Sequence, residues 1–482
     1  MRIYLLNPPF LPRFGREMRW QDTGRGGTLY YPIWLSYATG LLEREGHKVR
    51  LCDAPAWNWN TEDVLKDIKN FDPELVVVNS SFTSLKRDLD TAKKIKENFD
   101  SKIVMVGPPA SQFAERMLEV VDFVARFEYD FTLLELAEKI EKNENVDGVL
   151  GISFKTNGKI KNNPNRTFAS SEELDSIPFV SKVYKNHLNV YDYFLNYCLY
   201  PMVQIFTGRG CPNSCTFCSW PFTFTGRKYR VRSIENILDE LEWIEENMKN
   251  VKEVFFEDDT FTISKKRVME FCKGYRERGL EISWSCNARV DTLDFETMKE
   301  MKKANCRFLI VGFESADDGI LRNIKKGFDV SKAREFVKNV KKSGLMLHAD
   351  FIIGLPGETK ETIEKTKNFI KEIKPELLQV SVVSPFPGTE LYDFLKSNGY
   401  LLTDDPDEYL DASGHQKSVV SYPWLSAEEI TKAVDEILRD YYISIRYVPK
   451  ALKQIFRKNG FHELRRLVRS AKTFLNYSSR RL

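Results

Sequence analysis

Apolar and polar positions alternate along the chain in two successive series of short runs. In the first, residues 2–6, 47–52, 74–79, 102–106 and 122–126 are apolar stretches of strand length, the third reading ELVVVN. Between them, residues 37–45, 88–99 and 132–142 carry apolar side chains at helical spacing. Val/Ile/Leu-rich strands alternating with amphipathic helices predict a doubly wound parallel sheet over residues 1–145. A ligand belongs at the carboxyl ends of such strands. The second series begins at Met202, with predicted strands over residues 202–207, 251–256, 281–286, 307–312, 345–353 and 377–383. Residues 233–250 and 264–278 are helical runs between them. Six strand–helix units in about 190 residues predict a partial TIM-type (β/α)6 barrel, with its active face at the strand C-termini.

The α/β pattern is interrupted twice. Residues 146–195 form a polar connector containing FKTNGKIKNNPNRT, which reads as a β-hairpin with flexible turns. After the barrel, residues 196–395, the chain becomes loop-rich and then helical over residues 396–482. Residues 441–482 hold eleven Lys/Arg and one acid, Glu463, interleaved with Tyr441, Tyr442, Phe456, Phe461, Leu464 and Phe474. That pattern suits peripheral contact with an anionic membrane surface. It equally suits a solvated helical cap with its aromatics packed on the barrel.

Composition adds little to this division. Lys+Arg number 72 and Asp+Glu 69, so global charge argues for no particular partner. No RNA-binding module is visible, and a nucleic-acid partner is not expected. Asn7-Pro8-Pro9 breaks the first apolar run before it reaches the length of a secretory segment. No run approaches the roughly 18 apolar residues of a spanning helix. A cytoplasmic location, with peripheral membrane contact as the variant the basic tail allows, is the expectation.

The cysteines change the picture more. Five of the eight are scattered, whereas Cys211, Cys215 and Cys218 fall within GRGCPNSCTFCSW, directly after a predicted strand. Three thiolates on one loop suit an iron–sulfur cluster or zinc. A structural zinc site wants four protein ligands, and no fourth lies nearby in sequence; Cys198 is the distant alternative. Three cysteines on a cubane leave one iron open for a small molecule.

Cys-x3-Cys-x2-Cys with an aromatic residue, Phe217, before the last cysteine resembles the signature of the radical S-adenosylmethionine (SAM) superfamily. The resemblance implies a [4Fe-4S] cluster on Cys211, Cys215 and Cys218 whose open iron binds SAM. One electron, from a donor such as ferredoxin or flavodoxin, then yields a 5′-deoxyadenosyl radical. The later strand ends carry groups that suit SAM. Asp258 or Asp259, in FFEDDTF, would receive its ammonium, or would cap the following helix. Arg289 would pair with its carboxylate. Glu314 and Ser315 would meet the ribose or methionyl part, and Gly354 and Gly357, in GLPGET, would form a turn beside adenine.

An α/β domain ahead of such a barrel resembles the cobalamin-binding class of the superfamily, which implies cobalamin as a further cofactor. The contact regions would be Ser80, Ser81, Gly107 and Glu128. Gly-Gly-Pro-His after the fourth strand is replaced here by Gly107-Pro108-Pro109-Ala110, and Gly-Glu after the fifth by Arg126-Phe127-Glu128. Asp-x-His-x-x-Gly is absent, so no histidine of that loop can be the lower ligand. His348 is expected to pack within the barrel. The motifs YYPIWLSYATGLL, SWSCNA and NIKKG most resemble proteins of hopanoid and related lipid head-group biosynthesis. That points to radical rearrangement with carbon–carbon bond formation, or methyl transfer, on a lipid-linked or isoprenoid-type substrate. The alternatives are a cobalamin-dependent methyltransferase acting on a small secondary metabolite, and an iron–sulfur electron carrier or redox sensor.

Overall fold

The computed structural model describes residues 1–444, 447–456 and 459–479. The N-terminal sheet comprises β1 (Arg2–Asn7), β2 (Lys48–Asp53), β3 (Leu75–Asn79), β4 (Lys102–Val106), β5 (Phe123–Ala125), β6 (Ile152–Thr156) and β7 (Lys159–Asn162). Their order is β2-β1-β3-β4-β5-β6-β7. The first five strands are parallel, as the alternating pattern requires. The segment read as a connector contributes β6 and β7, which extend the sheet in the antiparallel sense. Successive strand residues enter different cores. Ile3, Leu5, Val77 and Val104 belong to the large core continuous with the barrel. Tyr4, Leu6, Val76, Val78 and Met105 form a second core under the outer helices, which include Thr61–Phe71 and Leu85–Asn98. Both faces are thus apolar, which is why these strands read as unbroken hydrophobic runs.

The second sheet holds six parallel strands: β8 (Met202–Ile205), β11 (Glu253–Phe256), β12 (Ser283–Ala288), β13 (Cys306–Glu314), β14 (Met346–Ile353) and β15 (Leu377–Val382). They pair in chain order, with β8 and β15 at the edges. This is the expected partial barrel. A short antiparallel ribbon, β9 (Gly208–Arg209) with β10 (Arg230–Val231), brackets the cysteine segment. The helices Ile234–Asn247, Lys265–Glu277, Phe295–Lys303, Val330–Ser343 and Lys360–Ile373 are each capped by a side chain, from Ser233, Ser264, Asp294, Asp329 and Thr359. Each cap satisfies an otherwise orphaned amide and marks where the strand-to-helix loop ends.

Two buried ion pairs join the sheets. Arg209 donates to Asp130 at 2.6 Å, and Arg230 donates to both oxygens of Glu128 at 2.6 and 2.8 Å. The Arg209 guanidinium also lies over the Trp34 ring, 4.4 Å from its centroid. At the C-terminus, the helices Ala427–Tyr442, Val448–Ile455 and Gly460–Ser479 complete the barrel side. The last reaches the N-terminal strand ends, where Arg307 bridges Glu253 and Glu463, each at 2.7 Å. Among the described residues, no helix is long and apolar enough to cross a membrane. Arg446, Arg457, Lys458, Arg480 and Arg481 of the basic tail lie outside the described residues.

Candidate functional site

The cysteine segment leaves β8 through residues that force a tight path. Gly210 has φ +87°, and a Cβ there would lie 2.4 Å from the Lys228 carbonyl oxygen, so only glycine fits. The Asn213 amide donates to Cys211 Sγ at 3.3 Å. The Thr216 amide donates to the Ile324 carbonyl at 3.1 Å and its carbonyl accepts from Leu391 at 3.0 Å, which anchors the loop to the barrel rim. All three cysteines are free thiols. They and Phe217 line one cavity at the C-terminal strand ends, with Asn287, Arg289, Ile310, Gly312, Glu314, Lys326, His348, Asp350 and Gln379.

Burial raises the Cys211 and Cys218 thiols above their ordinary range. A bound metal group would reverse that, since a coordinating thiol is deprotonated outright. Among the described residues, no three His, Cys, Asp or Glu side chains converge as ligands of one metal ion would. A cluster of several irons needs its thiolates spread wider than a single zinc does. Cys198, the distant zinc alternative, is buried on the far side. The largest charge effects on it come from Glu253 and Arg307, at the N-terminal strand ends, ahead of Arg466 and Glu257. The donor set therefore fits an iron–sulfur cluster with three protein ligands.

A strap between β1 and the helix Ile33–Arg44 forms the opposite wall. Its inner side is bound to the N-terminal sheet by a fully buried pair, Arg16 to Asp88 at 2.6 Å, and by Asn79 donating to Glu17 at 2.7 Å. Its outer side presents Met18, Arg19, Trp20, Asp22, Arg25 and Thr28 to the cavity. Arg19 donates to Asp259 at 2.9 Å, across to the end of β11. Three buried nitrogens on the cavity wall have no hydrogen-bond partner: Nη2 of Arg25 and both ring nitrogens of His348. Buried polar atoms are normally satisfied, so these mark a space built for a ligand.

The acids expected to meet SAM separate into different roles. Asp258 is fully buried and does not line the cavity. Its oxygens accept from the Thr207 amide and hydroxyl, both at 2.6 Å, and from Tyr229 at 3.0 Å. It therefore ties β11 to β8, and Asp259 is the acid that faces the cavity. Glu314 faces it too, held by Lys326 Nζ at 2.6 Å. Its φ of +66° follows the register shift after Gly312, and a side chain at 312 would sit 2.2 Å from the Glu314 carboxylate. A bulge of this kind re-aims one side chain at a site. Arg289 holds Asp291 through two nitrogens at 2.9 Å, while Nη1 points at Cys215 Sγ, 3.6 Å away.

Other candidates lie away from the cavity. Ser315 is buried, with Oγ accepting from the Asp317 amide at 3.2 Å within the following turn. Gly354 and Gly357 adopt left-handed φ of +97° and +95°, but the C-terminal segment covers their turn. Tyr422 donates to the Gly354 carbonyl, and Trp424 to the Glu358 carbonyl, both at 2.9 Å. The cobalamin candidates each make contacts within the protein. Ser80 donates to Val106 at 2.6 Å, and the Ser81 hydroxyl is 2.6 Å from that of Ser84. Gly107, at φ +109°, brings its backbone so close that a Cβ would be 2.2 Å from the Ser80 carbonyl oxygen. Glu128 is fully taken by Arg230. These four shape the sheet edge and the interface between sheets. The cavity wall nearest that edge is the strap.

His348 is buried within the barrel, as expected, with its ring 5.2 Å from that of Tyr197, and it also reaches the cavity wall from β14. Burial, and secondarily Arg466, lower its pKa to about 3, so it faces the cavity as a neutral imidazole. Alternation along β14 places Asp350 on the same face. The strap arginines carried no sequence signal, because their role depends on a long-range fold-back.

Comparisons with known proteins agree with this arrangement. Residues 205–370 match the model of the radical SAM superfamily, and residues 23–137 that of the B12 binding domain. An uncharacterized methyltransferase of Pyrococcus horikoshii is 33% identical, over 96% of this chain and 96% of its own. The hopanoid C-3 methylase of Methylococcus capsulatus is 27% identical, over 74% of this chain and 67% of its own. Among solved structures, the radical SAM methyltransferase TsrM from Kitasatospora setae, with cobalamin and a [4Fe-4S] cluster bound, superposes with a TM-score of 0.72. That match covers 99% of both chains at 16% identity, so the likeness is one of fold.

Proposed function

Because the chain belongs to the radical SAM superfamily and carries its B12-binding domain, we propose that it is a cobalamin-dependent radical SAM methyltransferase acting on a small organic molecule. The observation that carries this reading is the three-cysteine loop opening onto a cavity walled by the N-terminal strap. A cluster held by Cys211, Cys215 and Cys218, together with SAM and cobalamin, supplies radical and methyl-transfer chemistry there. The protein's own part is binding, orientation and exclusion of water. Asp259 and Glu314 present carboxylates to a bound ammonium or hydroxyl, and Arg289 and Lys326 present cations to a carboxylate. The strap, closed onto the barrel by the Arg19–Asp259 contact, walls the cavity on the side of the N-terminal domain, which would carry the cobalamin. A ferredoxin- or flavodoxin-type donor delivers the electron.

Methyl transfer is preferred to rearrangement with carbon–carbon bond formation because the relative at 33% identity over 96% of both chains bears the name of an uncharacterized methyltransferase, and the hopanoid relative that of a methylase. An isoprenoid-type lipid acceptor is the second reading, favoured by the likeness to the hopanoid methylase. The test is anaerobic reconstitution with iron, sulfide and hydroxocobalamin, followed by incubation with SAM, a reductant and cell extract. Methyl transfer leaves S-adenosylhomocysteine alongside 5′-deoxyadenosine. A rearrangement leaves no S-adenosylhomocysteine, and that result would replace the proposal. SAM carrying a deuterated methyl group would show whether the label enters the lipid or the polar fraction.

A further inference from the structure

Eight of the thirteen large apolar side chains exposed among the described residues lie between positions 443 and 475. On the helix Gly460–Ser479 they follow a strict spacing. Phe461, Leu464, Val468, Ala471 and Leu475 recur at intervals of three, four, three and four residues. They form one stripe about 21 Å long. Glu463, Arg466, Ser470, Thr473 and Phe474 lie on the other side, towards the barrel and strap. The stripe is open to solvent: Phe461 is 75% and Val468 60% exposed. The preceding helix, Val448–Ile455, adds Val448, Leu452 and the following Phe456, which is 86% exposed. A solvated cap has no reason to present this face, since helices normally turn such a stripe inward.

The charged side chains that these two helices themselves expose are all basic. Arg465 and Lys472, seven residues apart, run along one flank, and Lys453 is exposed on the neighbouring helix. Glu463 is the single acid of residues 441–482, and it is buried between Arg307 and Arg466. The described outward surface of the tail therefore carries no carboxylate. A second copy docking on the same stripe would oppose like charges with no acid to pair them, whereas helix seams that self-associate carry both signs at their flanks. An anionic lipid surface accepts both the apolar stripe and its basic border.

We propose that these two helices form a docking face that seats the protein on an anionic lipid bilayer. The face adjoins the site. Near the end of the long helix, Tyr477 accepts a hydrogen bond from Arg25 at 2.9 Å, and Thr473 packs against Gly27. Arg25 lines the cavity. Docking thus brings the cavity rim to the membrane, where an amphiphilic substrate is held. The surface is inferred independently of methyl transfer.

The test is flotation of the reconstituted full-length holoenzyme with two kinds of vesicle, phosphatidylcholine with one quarter phosphatidylglycerol and phosphatidylcholine alone. Binding to the anionic vesicles is expected, falling at least tenfold in 0.5 M salt. A Phe461→Glu/Val468→Glu variant should lose binding while forming 5′-deoxyadenosine from SAM at the wild-type rate. Leu402→Glu, at an exposed apolar site away from the tail, should bind as the wild type does. Equal binding by the double variant, or failure of the wild type to float with anionic vesicles, would overturn the docking face. So would a wild-type dimer in sedimentation that the double variant dissociates. None of these outcomes bears on SAM cleavage, so this inference and the proposed chemistry fail separately.

Discussion

Arg19 and Asp259, 240 residues apart in the chain, meet at 2.9 Å above the cysteine loop. The contact closes the strap of the N-terminal domain onto the end of β11. Both residues line the cavity, so the pair bounds the space in which SAM must be held. Arg19→Ala and Asp259→Asn are each expected to lower 5′-deoxyadenosine formation about tenfold with little change in melting temperature. The double variant should be no worse than Asp259→Asn alone, because that variant already opens the latch as well as removing a carboxylate from the cavity wall. Additive losses would mean that the residues act separately.

The cysteine assignment predicts a sharp contrast. Alanine at Cys211, Cys215 or Cys218 should abolish cluster absorbance near 400 nm, roughly where thiolate-bound iron–sulfur centres absorb, and SAM cleavage with it. Cys198→Ser should retain both, because that thiol lies among Glu253 and Arg307 at the other end of the barrel. Loss of the cluster in Cys198→Ser would make that thiol a fourth ligand and remove the open iron that SAM needs.

Glu128 predicts a stability effect in place of a cofactor effect. Its carboxylate satisfies Arg230 across the two sheets. Glu128→Ala strands a buried guanidinium and should cost about 3–5 kcal/mol in urea denaturation. Hydroxocobalamin uptake by the folded fraction should be unchanged. Normal stability with lost uptake would return Glu128 to the corrinoid.

Glu17 gives a pH signature. Burial is the main cause that raises its pKa from 4.5 to about 8, opposed by the Asn79 hydrogen bond. Below 4.5 the folded and unfolded chains are both protonated there, and the contribution to stability is fully present. As pH rises, the unfolded chain releases its proton first, so this contribution is lost progressively up to about pH 8. Glu17→Gln keeps an acceptor for Asn79 and removes the titration. Its melting temperature should exceed the wild type's at pH 8, with the gap closing towards pH 5. A gap that does not change with pH would show that Glu17 does not titrate in the fold.

The strands and cysteines were legible because their signals are local. Hydrophobic runs such as ELVVVN and IVGFES need only their neighbours to declare a buried parallel strand, and three thiols within eight positions need no fold to be noticed. The division between Asp258 and Asp259 was not legible. Both acids lie in the bend after β11, where no alternation assigns them sides, and only the positions of Thr207 and Tyr229 show which one is already satisfied. The strap was invisible for a similar reason. Arg16, Glu17 and Arg19 sit in a loop without periodicity, and their partners Asp88, Asn79 and Asp259 are remote in sequence. The burial of His348 was legible, because a lone histidine in an apolar strand usually packs; its place on the cavity wall was not, because that depends on the strands and strap around it.

Arg307 is buried at the base of the barrel with Glu253 on one side and Glu463 on the other. Glu463 lies 156 residues further along the chain, so the barrel strands are made long before this arginine has its second partner. Until the helix Gly460–Ser479 arrives, the base of the barrel carries a charge that is only half answered. A chain cut before Glu463 would keep the three cysteines and lose that balance, which makes the far end of the barrel the place where truncation is felt first.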